Sequence, residues 1–171
     1  STDGGAFALR VAQTNLEMGE DESARALASR ALASGVSGNE RAAALWVRGV
    51  AEYKLKQLAA SRRTFESLIK EFPNGDLTEG ARRYVAMAAE DAGDLEAALE
   101  QYLALDYTDD AAYFVDVLMT PEQLASFVER HQDSPARDVL LYSLGVRLMR
   151  EHRFNEARAA YSRVRTNEQT F

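Results

Sequence analysis

The side chains able to do chemistry are few, and their spacing does not assemble them. The two histidines, His131 and His152, each close an apolar-periodic segment, where a cationic side chain suits the negative end of a helix dipole. No His-x-x-x-His or His-Glu pairing on one helix suggests a metal ligand set. Acidic residues cluster at Glu20-Asp21-Glu22 and Asp109-Asp110, but both clusters fall at expected helix starts, where carboxylates stabilise the unpaired N–H groups. A hydrolase built on paired carboxylates also needs a cleft that raises one pKa, and the sequence indicates none. With no cysteine, disulfides, thiolate metal sites and cysteine nucleophiles are excluded. There is neither a P-loop nor a glycine-rich dinucleotide fingerprint. These residues predict no catalysis, no metal and no cofactor.

A formal charge of −7 and a pI near 4.9 argue against nucleic acid or an anionic membrane as the main partner, since both reward a clustered basic face. The basic doublets Arg62-Arg63 and Arg82-Arg83 sit among acidic neighbours, which predicts local salt bridges. No stretch approaches the roughly 18 to 20 apolar residues of a membrane helix. Ser1 to Gly5 is polar and glycine-rich rather than a signal peptide. The chain starts without methionine and closes at Thr166 to Phe171 without an obvious polar capping helix, which suggests a fragment of a longer protein.

The elements that would position any site are read from a pattern stated three times, over Leu16 to Ala31, Tyr53 to Leu68 and Glu90 to Leu105. Their turn residues Gly19, Lys56 and Gly93 are 37 residues apart. Such a period marks a solenoid, whose units bury their apolar faces by stacking on neighbours. About ten helices in antiparallel pairs are expected, in one domain over 1–171. The repeats span about 5–36, 40–75, 77–106 and 136–167. Asp21 and Asp94 are expected N-caps, and Phe72-Pro73-Asn74-Gly75-Asp76 ends the second pair. The next matching turn, His152, follows Gly93 by 59 residues, leaving room for a short inserted hairpin at 109–133. Its helices are read as about Asp110 to Met119 and Pro121 to His131, the latter opened by Thr120, Pro121 and Gln123 as a capping box. In the last pair Phe154, Ala157, Ala160, Tyr161 and Val164 are expected to face inward.

These residues resemble the tetratricopeptide repeat. Ala12, Gly49, Ala86 and Gly145 look like its small residue where the two helices cross, Ala24, Ala98 and Ala157 like its early alanine, Phe65, Tyr102 and Tyr161 like the large residue that follows, and Pro73 like its terminal proline. Ser61 departs from the early alanine, and Lys56 and His152 from the turn glycine. The resemblance implies an all-α, right-handed solenoid of helical hairpins. The period and the Phe-Pro-Asn-Gly ending are similar to repeats of bacterial envelope proteins of this family, such as outer-membrane assembly lipoproteins and Tol-system coordinators, which implies a periplasmic or outer-membrane-associated setting, with the cytoplasm as the alternative.

In that family the first helices line a groove for an extended peptide or a helix. By resemblance Trp46, Val50, Tyr53, Arg83, Met87, Tyr142 and Val146 line it here, with Leu9, Gln13, Leu16 and Met149. The alternative for Trp46 and Tyr53 is packing against the neighbouring repeat. The groove positions lack the lysine and asparagine pattern of a carboxylate clamp. The resemblance therefore implies a non-catalytic scaffold for a protein or peptide. The alternatives are a structural segment that self-associates or packs on other domains of its parent, and an enzyme segment.

Overall fold

The structure, a computed structural model, describes residues 2–106 and 108–165. These residues form ten α-helices and one π-helical turn: α1 (Thr2–Glu17), α2 (Asp21–Ala33), α3 (Gly38–Lys54), α4 (Leu58–Glu71), α5 (Thr78–Asp91), α6 (Leu95–Ala104), α7 (Thr108–Tyr113), the π turn Phe114–Leu118, α8 (Pro121–Arg130), α9 (Arg137–Arg150) and α10 (Phe154–Ser162). No strand occurs among the described residues. The chain divides into two compact units, Ser1–Gln101 and Tyr102–Phe171.

The turn residues that set the period share one backbone solution. Gly19, Lys56, Gly93 and His152 all have positive φ, between 59° and 79°. In each turn this residue's N–H bonds a carbonyl three residues back. The following N–H, of Glu20, Gln57, Asp94 or Arg153, bonds one five residues back at 2.8–2.9 Å. This pair of bonds satisfies carbonyls that a helix end leaves unpaired. Lys56 and His152 adopt the left-handed conformation at a steric cost that glycine avoids. Lys56→Gly is therefore expected to stabilise the first unit by about 0.5–1 kcal/mol, after allowing for glycine's larger unfolded-state entropy. A higher denaturant midpoint at unchanged slope would establish this; a lower midpoint would show that the contacts of Lys56 outweigh the strain.

In the first unit each helix packs on the next from α1 to α5, and the first helices α1, α3 and α5 also touch in sequence. Ala12 and Ala86 are fully buried, and Gly49 lies beneath the Phe65 ring, where an added methyl would come within 2.7 Å of it. Small residues thus let the paired helices approach to the short end of their usual separation. Ser61 has its own reason to replace alanine: fully buried, it donates its hydroxyl to the Gly49 carbonyl at 2.9 Å. Arg41 forks onto Glu71 at 2.5 and 2.9 Å, and this bond holds the Glu71 carboxyl below its ordinary value. Arg62 pairs with Asp94 at 2.9 Å and Arg83 with Glu79 at 3.4 Å, as the acidic neighbours of the doublets suggest. Asp94 caps α6 by accepting from the Ala97 N–H at 3.2 Å. Asp21 does not cap α2. It is the first helical residue, after Glu20, and its carboxylate lies 3.6 Å from Lys54 Nζ.

In the second unit Gly145 repeats the role of Gly49: a methyl there would come within 2.5 Å of Tyr161. The expected capping box of Thr120 and Gln123 is present on α8, with Pro121 in the first turn. The helix expected over Asp110 to Met119 is instead α7 followed by the π turn, closed by the Met119 N–H on the Phe114 carbonyl. The turn buries Phe114 and Val115 while leaving Tyr113 and Val117 exposed, an arrangement that a 3.6-residue reading does not reveal. Phe154 does not face inward. It opens α10, 54% exposed and edge-on to His152, and the buried stripe starts one turn later at Ala157. His131 ends α8, stacked on Phe127 at 4.0 Å with Nδ1 2.8 Å from the Phe127 carbonyl. The side chains of Asp109 and Asp110, and the residues Thr166 to Phe171, lie outside the described residues.

Candidate protein-binding surface

The expected groove residues stand on first helices in both units. In the first unit the crossing residue Gly49 fixes the roll of α3 by turning one side to Phe65. Trp46, three residues earlier, then points toward α5. Its indole is half-buried, edge-on to Phe65 and to Tyr84 at 5.5 Å each. It also lies over Gly80, where a methyl would come within 2.7 Å of the ring. Tyr84 is the centre of this cluster, stacked on Phe65 at 4.9 Å and edge-on to Tyr53 at 5.4 Å. Such offset and edge-on pairs add to the burial of the rings themselves. Trp46 and Tyr53 therefore both join α3 to the following hairpin. Val50 is buried, Met87 half-buried and Arg83 exposed beside Glu79. Leu9 is buried, Leu16 half-buried and Gln13 exposed.

The Tyr53 hydroxyl donates to Asp91 at 2.9 Å, and Lys56 Nζ lies 3.8 Å from the same carboxylate and 5.5 Å from the Tyr53 ring. Burial, with the bond to Asp91, pushes the Tyr53 phenol up to about 12 from 10. Because the folded value is the higher one, its stabilising contribution is fully present below pH 10 and is lost as pH rises through about 12. Phenolate absorbance is expected to show a late-titrating component that is lost in Tyr53→Phe. If that substitution leaves the titration curve unchanged, burial and the bond to Asp91 do not hold the Tyr53 phenol in solution.

In the second unit the equivalent face of α9 is open. Tyr142 is 59% exposed, its ring 5.7 Å from Tyr161. Val139 is 68% exposed and Met149 45% exposed, with Val146 half-buried between them. Spacings of three, four and three residues put all four on one helical stripe. Val139 and Tyr84 are the residues that sequence reasoning missed. The i, i+3, i+7, i+10 pattern on α9 would have found the first; for Tyr84 the signal was its place as the one aromatic residue of α5.

The arrangement can recognise apolar and aromatic side chains. Among the described residues no group of three or more His, Asp or Glu could hold a metal ion, and no helix is long and apolar enough to cross a membrane. Residues 43–75, covering most of α3, all of α4 and the turn after it, match the tetratricopeptide-repeat family. Residues 43–75 are similar to one tetratricopeptide repeat. Among solved structures, the nearly identical TPR-like repeats of a kinesin light chain candidate from Podosopora anserina align over 92% of both chains at 15% identity, with a TM-score of 0.50. The Rap conjugation gene regulator of plasmid pLS20, in complex with the Phr* peptide, aligns over 91% of this chain and 51% of that one at 18% identity, with a TM-score of 0.47. No curated protein matches the sequence.

Proposed function

We propose that this tetratricopeptide-like chain is a non-catalytic scaffold that binds a peptide or helix of another protein along its first helices. The observation that supports this best is the stripe Val139, Tyr142, Val146 and Met149, apolar and largely open on α9, since contiguous exposed apolar surface marks interaction sites. Of the full expected set, Trp46, Val50, Tyr53, Arg83 and Met87 extend the proposal to the first unit, with Arg83 as its exposed member. The likeness of the period to envelope repeats extends it to a bacterial periplasmic setting.

The test is a selection of displayed random peptides on the whole chain, followed by hydrogen-exchange mapping of a bound peptide. Protection over 139–149 is expected, and Tyr142→Ala with Met149→Ala is expected to weaken binding at least about tenfold. Both side chains are exposed, so the thermal midpoint should barely move. Peptides whose footprints avoid the first helices of both units would overturn the reading. Trp46→Ala is a poor discriminator, because that ring also packs.

A further inference from the structure

The open stripe on α9 repeats a stripe that is covered in the first unit. Tyr142, Val146 and Met149 stand three residues before, one after and four after the crossing residue Gly145, and Trp46, Val50 and Tyr53 hold those places about Gly49. The ring beneath recurs as well. Tyr142 meets Tyr161 at 5.7 Å as Trp46 meets Phe65 at 5.5 Å, and Tyr161 and Phe65 each lie against their own crossing glycine.

In the first unit α5 shows what this face accepts. Gly80 lies under Trp46, where a methyl would come within 2.7 Å of the ring. Tyr84, one turn on, meets Phe65 at 4.9 Å, Tyr53 at 5.4 Å and Trp46 at 5.5 Å. Asp91, seven residues further, accepts from the Tyr53 hydroxyl and lies 3.8 Å from Lys56 Nζ. The small residue lets the helix approach the indole, the aromatic residue supplies the ring pairs, and the carboxylate meets the polar end of the face. In the second unit this side of α9 is open, with Tyr142 59% and Met149 45% exposed. The π turn lies on another flank, because Arg147, which reaches its carbonyls, is five residues and so roughly 140° around the helix from Tyr142. His152, exposed, holds the left-handed turn position that Lys56 holds in the first unit.

We propose that this face takes an α-helix of another protein, packed on α9 as α5 packs on α3. The helix carries a small residue over Tyr142, an aromatic residue four positions on among Tyr142, Met149 and Tyr161, and a carboxylate seven beyond that, facing His152. On a helix these groups span about 16 Å, close to the length of the stripe itself; an extended chain would spread them over about 36 Å. The inference rests on the scaffold reading and narrows its ligand to a helix. One helix face lies at the low end of specific interfaces, so the complex is weak and reversible.

The probe is the α5 sequence, residues 78–91, made as a free peptide held helical by a lactam between the exposed positions 79 and 83. It is titrated against the full chain to about 1 mM, a range suited to a weak complex, and its footprint is mapped by hydrogen exchange. Protection over 139–161 is expected. Tyr142→Ala in the chain, and Gly80→Val or Tyr84→Ala in the peptide, should each weaken binding at least about tenfold. No binding at α9 overturns the proposal. Undiminished binding of the Gly80→Val peptide, or of an Ala86→Pro peptide that cannot stay helical, overturns the packing. Self-association of the chain that is lost in Tyr142→Ala gives the face to a second copy and overturns the assignment to another protein. Displayed random peptides that protect 139–149 while the α5 probe fails leave the scaffold reading standing and overturn only the helix; footprints that avoid the first helices overturn both.

Discussion

Replacing Phe65 with alanine is expected to cost about 3–5 kcal/mol of folding free energy, the usual range for removing a buried aromatic ring. The side chain is fully buried, stacked on Tyr84 at 4.9 Å and meeting the edge of Trp46 at 5.5 Å. The ring also fills the space above Gly49, where a methyl would collide with it, so Gly49 offers no side chain to fill the cavity. The loss is about a fifth or more of the roughly 5–15 kcal/mol that holds an ordinary domain together. Because Trp46 is the single tryptophan of the chain and touches Phe65, its fluorescence reports on the damaged site directly. Denaturant titration should show a lower midpoint and a more solvated indole in the native baseline. A loss below about 1.5 kcal/mol would mean that α3, α4 and α5 close over the cavity, and that the roll of α3 does not depend on the crossing at Gly49.

The second large effect is expected at Arg147. Its Nη1 donates to the Val115 carbonyl at 2.9 Å and also to the Met119 carbonyl, and its Nε lies 3.6 Å from Glu151. The last carbonyls of a helical segment have no partner within it, and the π turn leaves these two at the surface of α9. With the Arg147 side chain only 17% exposed, truncation removes charged hydrogen bonds and leaves part-buried carbonyls unpaired. Arg147→Ala is expected to cost about 2–4 kcal/mol, and Arg147→Lys less, since an ammonium keeps the charge but not the planar fork. Hydrogen exchange should place the loss at 114–119. Equal costs for alanine and lysine would show that fork geometry carries the whole effect; no cost for either would mean that water replaces the guanidinium.

Much of the architecture was legible because the repeat restates it. Any one glycine is weak punctuation, but Gly19 and Gly93 with Lys56 between them at equal spacing identify the same left-handed turn, including the position where glycine is absent. The small crossing residues were readable for a similar reason: each must lie beneath the large residue of the paired helix, and the Gly49–Phe65 and Gly145–Tyr161 pairs do. The π turn was not legible, since one residue of extra winding leaves the apolar pattern of 110–119 looking helical. Phe154 misled because its spacing from Ala157 fits one face, although the first residue of a helix has no turn before it to press against.

The candidate surface was legible as a list of positions but not as a division of labour. Trp46 and Tyr142 occupy the same place three residues before a crossing glycine, and nothing local separates them. Their fates differ because α5 brings Gly80 and Tyr84 under Trp46, whereas Tyr142 is left 59% exposed. The amino-acid sequence by itself determined most of the helices, the left-handed turns and the pairing of α1 with α2, α3 with α4 and α9 with α10, all of which depend on residues within about one repeat of one another. Only the tertiary structure decided which apolar stripes are covered, because exposure depends on what a neighbouring hairpin presents, and that is a property of two repeats rather than one.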